Sequence, residues 1–158
     1  MISFRNDYSE GAHPKVLDAI ARCNLEQACG YSTDPRCAAA KDIIRARFAC
    51  PQEYLYFVLG CTVSYTTVIA AALRPWEAVI AASTGHINAH ETGAIESSGH
   101  KVCAIEAAEG KLTPAHVRAV MEEHCNGTDE HMVLPRMVYI SQATELGTIY
   151  HKDELIAL

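Results

Sequence analysis

The chain has 158 residues, 49% of them hydrophobic and 20% charged, a balance typical of a folded protein with a core of its own. Its net charge of −6, with no basic stripe, argues against nucleic-acid binding. No apolar run reaches the roughly 18 residues that a membrane helix needs. The N-terminus carries no apolar signal segment. We therefore expect neither a nucleic-acid nor a membrane partner.

Seven cysteines occur along the chain, and no two of them form a CxxC pair. An odd number of cysteines without paired spacing favours reduced, mostly buried thiols and a cytoplasmic setting. The same spacing argues against a structural zinc site.

Two helices are predicted near the N-terminus. In the segment 13–23, Pro14 stands in the first turn and apolar residues recur at helical spacing. Asp34 is predicted to cap a second helix that has Pro35 at its first position, and Pro51 ends that helix.

Four short apolar segments are predicted to be strands, because they are rich in β-branched and aromatic residues. They cover residues 54–59, 78–82, 101–105 and 136–141. Helical patterns follow them at 60–73, 84–99, 112–125 and 144–158. Apolar strands that alternate with helices are typical of a parallel sheet covered on both faces. We therefore predict an α/β protein, with a three-layer α/β/α arrangement and a mainly parallel sheet, and residues 1–158 as one domain.

Ligands of such sheets bind beyond the carboxyl ends of the strands, so the residues that follow the strands are candidates. Residues 60–62, Gly-Cys-Thr, open a helix whose free N–H groups suit an anion, although they also suit an ordinary tight turn. His86 begins the next helical segment, where a flat ring could lie over a planar ligand. An ordinary amphipathic helix is the alternative interpretation. A metal site would need a third ligand, since His86, His90 and Glu91 do not form an HExxH motif, and no metal is predicted.

Several segments, in collinear order through essentially the whole chain, resemble the low-specificity threonine aldolases. These enzymes belong to the β-eliminating lyase group of pyridoxal-phosphate enzymes with the aspartate aminotransferase fold (fold type I). The segments are FRNDYSEGAHP (4–14), GY-x-x-DP (30–35), GCT (60–62), LRPWEAVIA (73–81), GHINAHETGAIE-x-x-GHKV (85–102) and YIS-x-x-TE-x-GT-x-Y (139–150). GHINAHETGAIE is the most specific of them.

The resemblance implies roles for individual residues. His86 is similar to the histidine that stacks on the ring of pyridoxal 5'-phosphate. Cys61 and Thr62 stand where the family binds the cofactor phosphate, although Cys61 replaces the usual glycine. Asn6 stands at the position that holds the substrate carboxylate, and Tyr31 is similar to a tyrosine that reaches the site of a neighbouring subunit.

Two further positions depart from the family pattern. Tyr65 replaces an asparagine that is common three residues after the phosphate-binding threonine. Thr144 stands where bacterial members carry a histidine. It is kept as a candidate catalytic residue, without that histidine's role as a base.

The family also needs a lysine that holds the cofactor as a Schiff base and an acidic partner for the pyridine nitrogen. The chain's lysines are Lys15, Lys41, Lys101, Lys111 and Lys152, and none stands in a matching context. We therefore expect the chain to be the N-terminal part of the cofactor-binding large domain, with the covalent lysine outside it. We also expect it to be inactive alone.

The activity that the resemblance implies is retro-aldol cleavage of L-threonine or allo-threonine to glycine and acetaldehyde. The complete enzyme would be a homo-oligomer, a dimer or tetramer, with a small amino acid as substrate. Two alternatives stay open: another lyase of the same fold that acts by β-elimination, and a non-catalytic truncated product.

Overall fold

The computed structural model describes residues 3, 6, 8–50, 55–127 and 130–158. The chain forms two compact units, residues 1–57 and residues 58–158. In the described part of the chain, no helix is both long enough and apolar enough to cross a membrane.

The first unit contains the two predicted helices. Helix α1 covers Pro14–Cys23 and α2 covers Pro35–Phe48. Asp34 caps α2 as predicted, because its carboxylate accepts hydrogen bonds from the backbone N–H groups of Arg36 and Cys37. The Cys37 thiol and, after it, these backbone bonds lower the pKa of Asp34. Neither helix buries a residue.

The second unit is built on a parallel sheet whose strand order is β2-β1-β3. Strand β1 covers Glu77–Ala82, β2 covers Val102–Ile105 and β3 covers Leu134–Val138. Helix α3 (Gly60–Ala72) precedes β1, and the short helices α4 (His86–Ala89) and α5 (Ala94–Ser97) lie between β1 and β2. Helix α6 (Pro114–His124) joins β2 to β3, and α7 (Lys152–Ala157) follows.

Strand β1 is central, and its side chains alternate between two cores. Val79 and Ala81 pack against residues of α3, α4 and α5 on one face. Ile80 and Ala82 pack against Leu112 and α6 on the other face. Burial of each large aliphatic side chain contributes roughly 1.5–3 kcal/mol. The second unit therefore has the predicted three-layer α/β/α arrangement.

The predicted strand at 54–59 is wrong in its described part, residues 55–59, which form no strand. Tyr54 lies outside the described residues. Aromatic and β-branched content marks a segment that fits a pleated, half-buried surface, but a strand forms only where a neighbour completes its hydrogen bonds. No ladder of the described sheet includes these residues, and Tyr56 and Leu59 are exposed.

The other three strands are confirmed, with the last one ending at Val138 rather than at 141. The pattern at 84–99 is divided between α4 and α5, because Thr92 and Gly93 have left-handed backbone angles, φ 52° and 76°. The final helix begins only at Lys152.

Candidate functional site at the carboxyl ends of β1 and β3

A cleft of about 430 Å³ lies where β1 and β3 end side by side. The two strands are parallel, so their carboxyl ends meet at one edge of the sheet, where α/β proteins bind ligands. The lining comes from α3, from the start of α4 and from the segment after β3. It consists of Tyr65, His86, Tyr139, Ile140, Ser141, Gln142, Ala143 and Glu145.

His86 is brought to this cleft by a tight turn from β1 into α4. The N–H of Gly85 donates to the Ala82 carbonyl at 2.8 Å. A Cβ on Gly85 would lie 2.9 Å from that same oxygen, so only glycine fits here without a shift. The backbone N–H of His86 donates to Glu145 Oε1 at 2.8 Å, and the Ser141 hydroxyl donates to the same oxygen at 2.6 Å. The turn is thus tied to the segment after β3.

The His86 ring is held from its inner side. Nδ1 is buried and lies 2.6 Å from Glu91 Oε1, which is an ion-pair distance, although the two atoms are not aligned as a hydrogen bond. The His86 side chain is 42% exposed, whereas that of Glu91 is 4% exposed. The exposed part of the ring therefore lies away from Nδ1, and the ring lines the cleft. The His90 ring has its centroid 5.2 Å from that of His86, as the i, i+4 spacing predicts.

Tyr65 forms the aromatic wall beside His86. Its ring centroid is 6.0 Å from that of His86 and 5.5 Å from that of Tyr139, which it meets edge to face. The neighbouring Tyr139 hydroxyl and, after it, burial raise the pKa of Tyr65 above its ordinary value. Sequence reasoning identified Tyr65 only as a departure from a family pattern. Its place at a helical turn after Cys61 was the signal that could have assigned it to the site.

Helix α3 begins on the same side as His86. Its N-cap residue, Leu59, supplies no side-chain cap, and the first N–H groups of a helix are donors that suit an anion. Cys61 stands one turn before Tyr65, and its thiol also raises the pKa of the Tyr65 phenol. Cys61 and Thr62 therefore lie at a helix start whose next turn contacts His86.

The Thr144 hydroxyl is engaged in a loop network rather than in the cleft lining. It lies 2.6 Å from the Thr148 hydroxyl and accepts from the Thr148 N–H at 3.2 Å. Thr148 in turn donates to the Glu109 carbonyl at 2.7 Å. These bonds tie the loop after β3 to the turn that ends at Gly110, and Thr144 is buried there. Its catalytic role stays a prediction.

The two predicted substrate-binding residues belong to the first unit. The Asn6 side-chain oxygen accepts from the Ser9 hydroxyl at 2.6 Å and from the Tyr8 N–H at 3.2 Å. The Tyr31 side chain is fully exposed, in a turn with φ 59°. Their roles stay predictions.

The lysines of the second unit are Lys101, Lys111 and Lys152, and none of them lines the cleft. Lys111 is engaged elsewhere, since its Nζ lies 2.5 Å from Glu154 Oε1 and packs over the Tyr150 ring. Within the described ranges, no group of three or more His, Cys, Asp or Glu side chains is arranged to hold a metal ion.

The comparisons agree with this geometry. Residues 3–158 match the family model described as β-eliminating lyase. The chain belongs to the β-eliminating lyase family. Two curated low-specificity L-threonine aldolases are its relatives, one from Pseudomonas aeruginosa and one from a Pseudomonas species. They are 34% and 32% identical over 157 residues, which are 98% of this chain and 44% of each relative.

A solved structure of threonine aldolase from Leishmania major matches with a TM-score of 0.90 and 46% sequence identity. The match covers 96% of this chain and 44% of that one. The chain thus has the α/β fold of a β-eliminating lyase and spans somewhat less than half the length of the relatives it matches.

Proposed function

We propose that the chain forms part of a pyridoxal-phosphate-dependent carbon–carbon lyase of the threonine aldolase type. Such an enzyme cleaves L-threonine or allo-threonine to glycine and acetaldehyde in amino-acid metabolism. The observation that carries the proposal is the half-exposed ring of His86 at the carboxyl end of β1, beside an uncapped helix start. Relatives named as threonine aldolases support the choice of reaction within the family.

The residues present fit two parts of pyridoxal 5'-phosphate. The free N–H groups at the start of α3, around Cys61 and Thr62, suit its phosphate. The His86 ring suits its flat pyridine ring by stacking. When bound, the cofactor supplies an electron sink for the carbanion that is left when the C–C bond breaks. This chain's residues bind it, orient it and hold its ring against the cleft.

The covalent attachment does not fit the cleft residues, because the lysines of the second unit stand elsewhere and Lys111 is paired with Glu154. We propose that the amine which captures the cofactor is contributed by a part of the enzyme outside these 158 residues. Asn6 and Tyr31 would contact the amino-acid substrate, Tyr31 in a neighbouring subunit of a homo-oligomer. A reducing, cytoplasmic setting is supported by the seven cysteines, all of which are described and unpaired.

Binding of the cofactor tests the role of His86 on this chain directly. We expect His86→Ala to weaken the affinity for pyridoxal 5'-phosphate by about fivefold, which corresponds to a stacking contribution of roughly 1 kcal/mol. His86→Phe should retain most of the affinity, because stacking needs a flat ring rather than a charge. His90→Ala is the matched control and should change it little. Equal losses at His86 and His90, or no binding by the parent chain, would contradict the proposal.

The reaction is tested on the product of the complete open reading frame. Release of acetaldehyde from L-threonine, with an equal amount of glycine, is expected. Pyruvate and ammonia from an amino acid with a leaving group at Cβ would instead assign the protein to the β-elimination branch of the same family. If the protein releases neither pair of products, a non-catalytic role is favoured.

A further inference from the structure

Glu91 is a buried carboxylate that lies against the His86 ring. Its side chain is 4% exposed, and its Oε1 lies 2.6 Å from His86 Nδ1. An unpartnered carboxylate at such burial costs several kcal/mol, so burial of this group is tolerated only with a partner. Among the described residues, the His86 ring is the group that supplies this partner.

The local backbone brings Glu91 into this position at some cost. Helix α4 stops after one turn, at Ala89. Thr92 and Gly93 then adopt φ 52° and 76°, which turns the chain back before α5. Left-handed geometry at a residue with a β-branched side chain is disfavoured and persists only where the surroundings impose it. The Glu91 carbonyl accepts the first hydrogen bond of the next turn, from the N–H of Ala94 at 3.0 Å.

The contact determines how the imidazole is presented. An ionised carboxylate has no proton to donate, and two lone pairs 2.6 Å apart would repel, so a proton on the ring nitrogen that faces Glu91 is favoured. A protonated Nδ1 fixes the ring orientation and leaves Nε2 on the part of the ring that is free to face the cleft. Carboxylate–histidine pairs orient imidazoles in the same way at metal centres, where loss of the carboxylate typically costs 10–100-fold in affinity or activity.

We propose that Glu91 is a positioning residue for the cofactor platform: it keeps Nδ1 of His86 protonated and holds the ring in the orientation that lines the cleft. This proposal rests on the proposed function only for the identity of the ligand, pyridoxal 5'-phosphate, that the His86 ring contacts. The hold that Glu91 exerts on the ring is a property of this chain by itself, and it can be measured without cofactor.

The test is ¹⁵N NMR of the 158-residue chain labelled at its histidines, under mildly alkaline conditions. His86 is assigned from the signals missing in His86→Phe. We expect the parent chain to show His86 with the proton on Nδ1. Glu91→Gln should keep that state, because the amide oxygen can take the place of the carboxylate oxygen beside Nδ1. Glu91→Leu, of similar volume and without an acceptor, should shift His86 to the tautomer mixture of the exposed histidines. Glu96→Gln is the matched control on an exposed carboxyl of α5 and should change nothing.

A second readout separates this proposal from the proposed function. Affinity for pyridoxal 5'-phosphate should fall by about threefold in Glu91→Leu, within the loss of about fivefold expected when the His86 ring itself is removed, and remain near that of the parent in Glu91→Gln. If no variant binds the cofactor while the NMR states follow the expected order, the proposed function fails and the role of Glu91 stands. If His86 shows the same tautomer in the parent chain, Glu91→Gln and Glu91→Leu, all with folded spectra, the role of Glu91 is refuted. If Glu91→Leu does not fold, the parent chain provides the test. A His86 ring that carries its proton only on Nε2 in the parent chain would refute the role of Glu91.

Discussion

The close approach at Gly85 provides the sharpest test of how the fold places His86. In Gly85→Ala, the new Cβ would lie 2.9 Å from the Ala82 carbonyl oxygen and 3.5 Å from the Ala81 Cβ. The backbone angles at this position, φ −57° and ψ 138°, are acceptable for alanine, so the cost is steric. The carbonyl cannot turn away freely, because it also accepts the N–H of residue 85 at 2.8 Å.

The magnitude follows from this contact. Overpacking of a fixed site costs typically 1–3 kcal/mol, and a loss of about 2 kcal/mol lowers the Tm of a domain of about 100 residues, the size of the second unit, by roughly 8–16 °C. Gly11→Ala serves as a control in the first unit, because no described residue lies within 4 Å of the Cβ that it would add, and it should leave the Trp76 transition unchanged. The lost freedom of the unfolded chain alone would make Gly85→Ala slightly more stable than the parent, so a lower Tm than the parent's reports the contact.

Thermal unfolding is followed by circular dichroism and by fluorescence of Trp76, the chain's single tryptophan, which reports on the second unit. A backbone shift that relieves this contact should also move His86. The affinity for pyridoxal 5'-phosphate should therefore fall together with the Tm. A Tm for Gly85→Ala equal to that of the parent chain would show that the turn accommodates the added methyl group without cost. The argument that Gly85 fixes the position of His86 would then be wrong.

Three other expectations concern the core, a cap and pH. Ile80→Ala, at a side chain that is 1% exposed, should cost about 2–5 kcal/mol in urea unfolding, whereas Ile43→Ala, at an exposed position, should cost little. Thr113→Ala removes the hydroxyl that caps α6, and it should lower stability by about 1 kcal/mol in the same assay. The raised pKa of Tyr65 means that folding favours the neutral phenol, so its contribution is present below the unfolded value of about 10 and is lost as pH rises beyond it. Tyr65→Phe should therefore flatten the alkaline fall in stability, and an unchanged slope would contradict this assignment.

Much of the fold was predictable, because its signals are local. Pro35 after Asp34 predicts a capped helix start, and the structure places the cap there. The apolar run at 78–82 predicts a strand buried on both faces, and it is the central strand β1. The strand predicted at 55–59 was wrong because that prediction also relied on a local signal alone. Its composition suits a strand, but strand formation depends on a partner elsewhere in the chain.

The sequence predicted the central residue of the candidate site, His86, but not the residues that hold it in place. His86 stands out because it directly follows a predicted strand and a Ser-Thr-Gly turn. Glu91 could not be assigned to the His86 ring, since a continuous helix would place residues five apart on different faces. The left-handed turn at Thr92 and Gly93, which carries Glu91 back, is not visible in helical periodicity. Glu145 lies 59 residues from His86 in sequence, and only the sheet joins them.

Under the proposed function, the charges around the cleft determine which end of the cofactor suits which helix. Two carboxylates contact His86, Glu91 at the ring and Glu145 at the backbone N–H that opens α4. Among the described lining residues there is no lysine or arginine to offset them. Two like charges 4 Å apart repel by about 4 kcal/mol near a protein surface, so a phosphate at the start of α4 would be disfavoured. The N-cap residue of α3, Leu59, supplies no side-chain cap, and the positive end of the helix dipole there favours an anion. Under the proposed function, the phosphate therefore belongs at α3, and the electron-poor pyridine ring belongs beside His86 and its carboxylates.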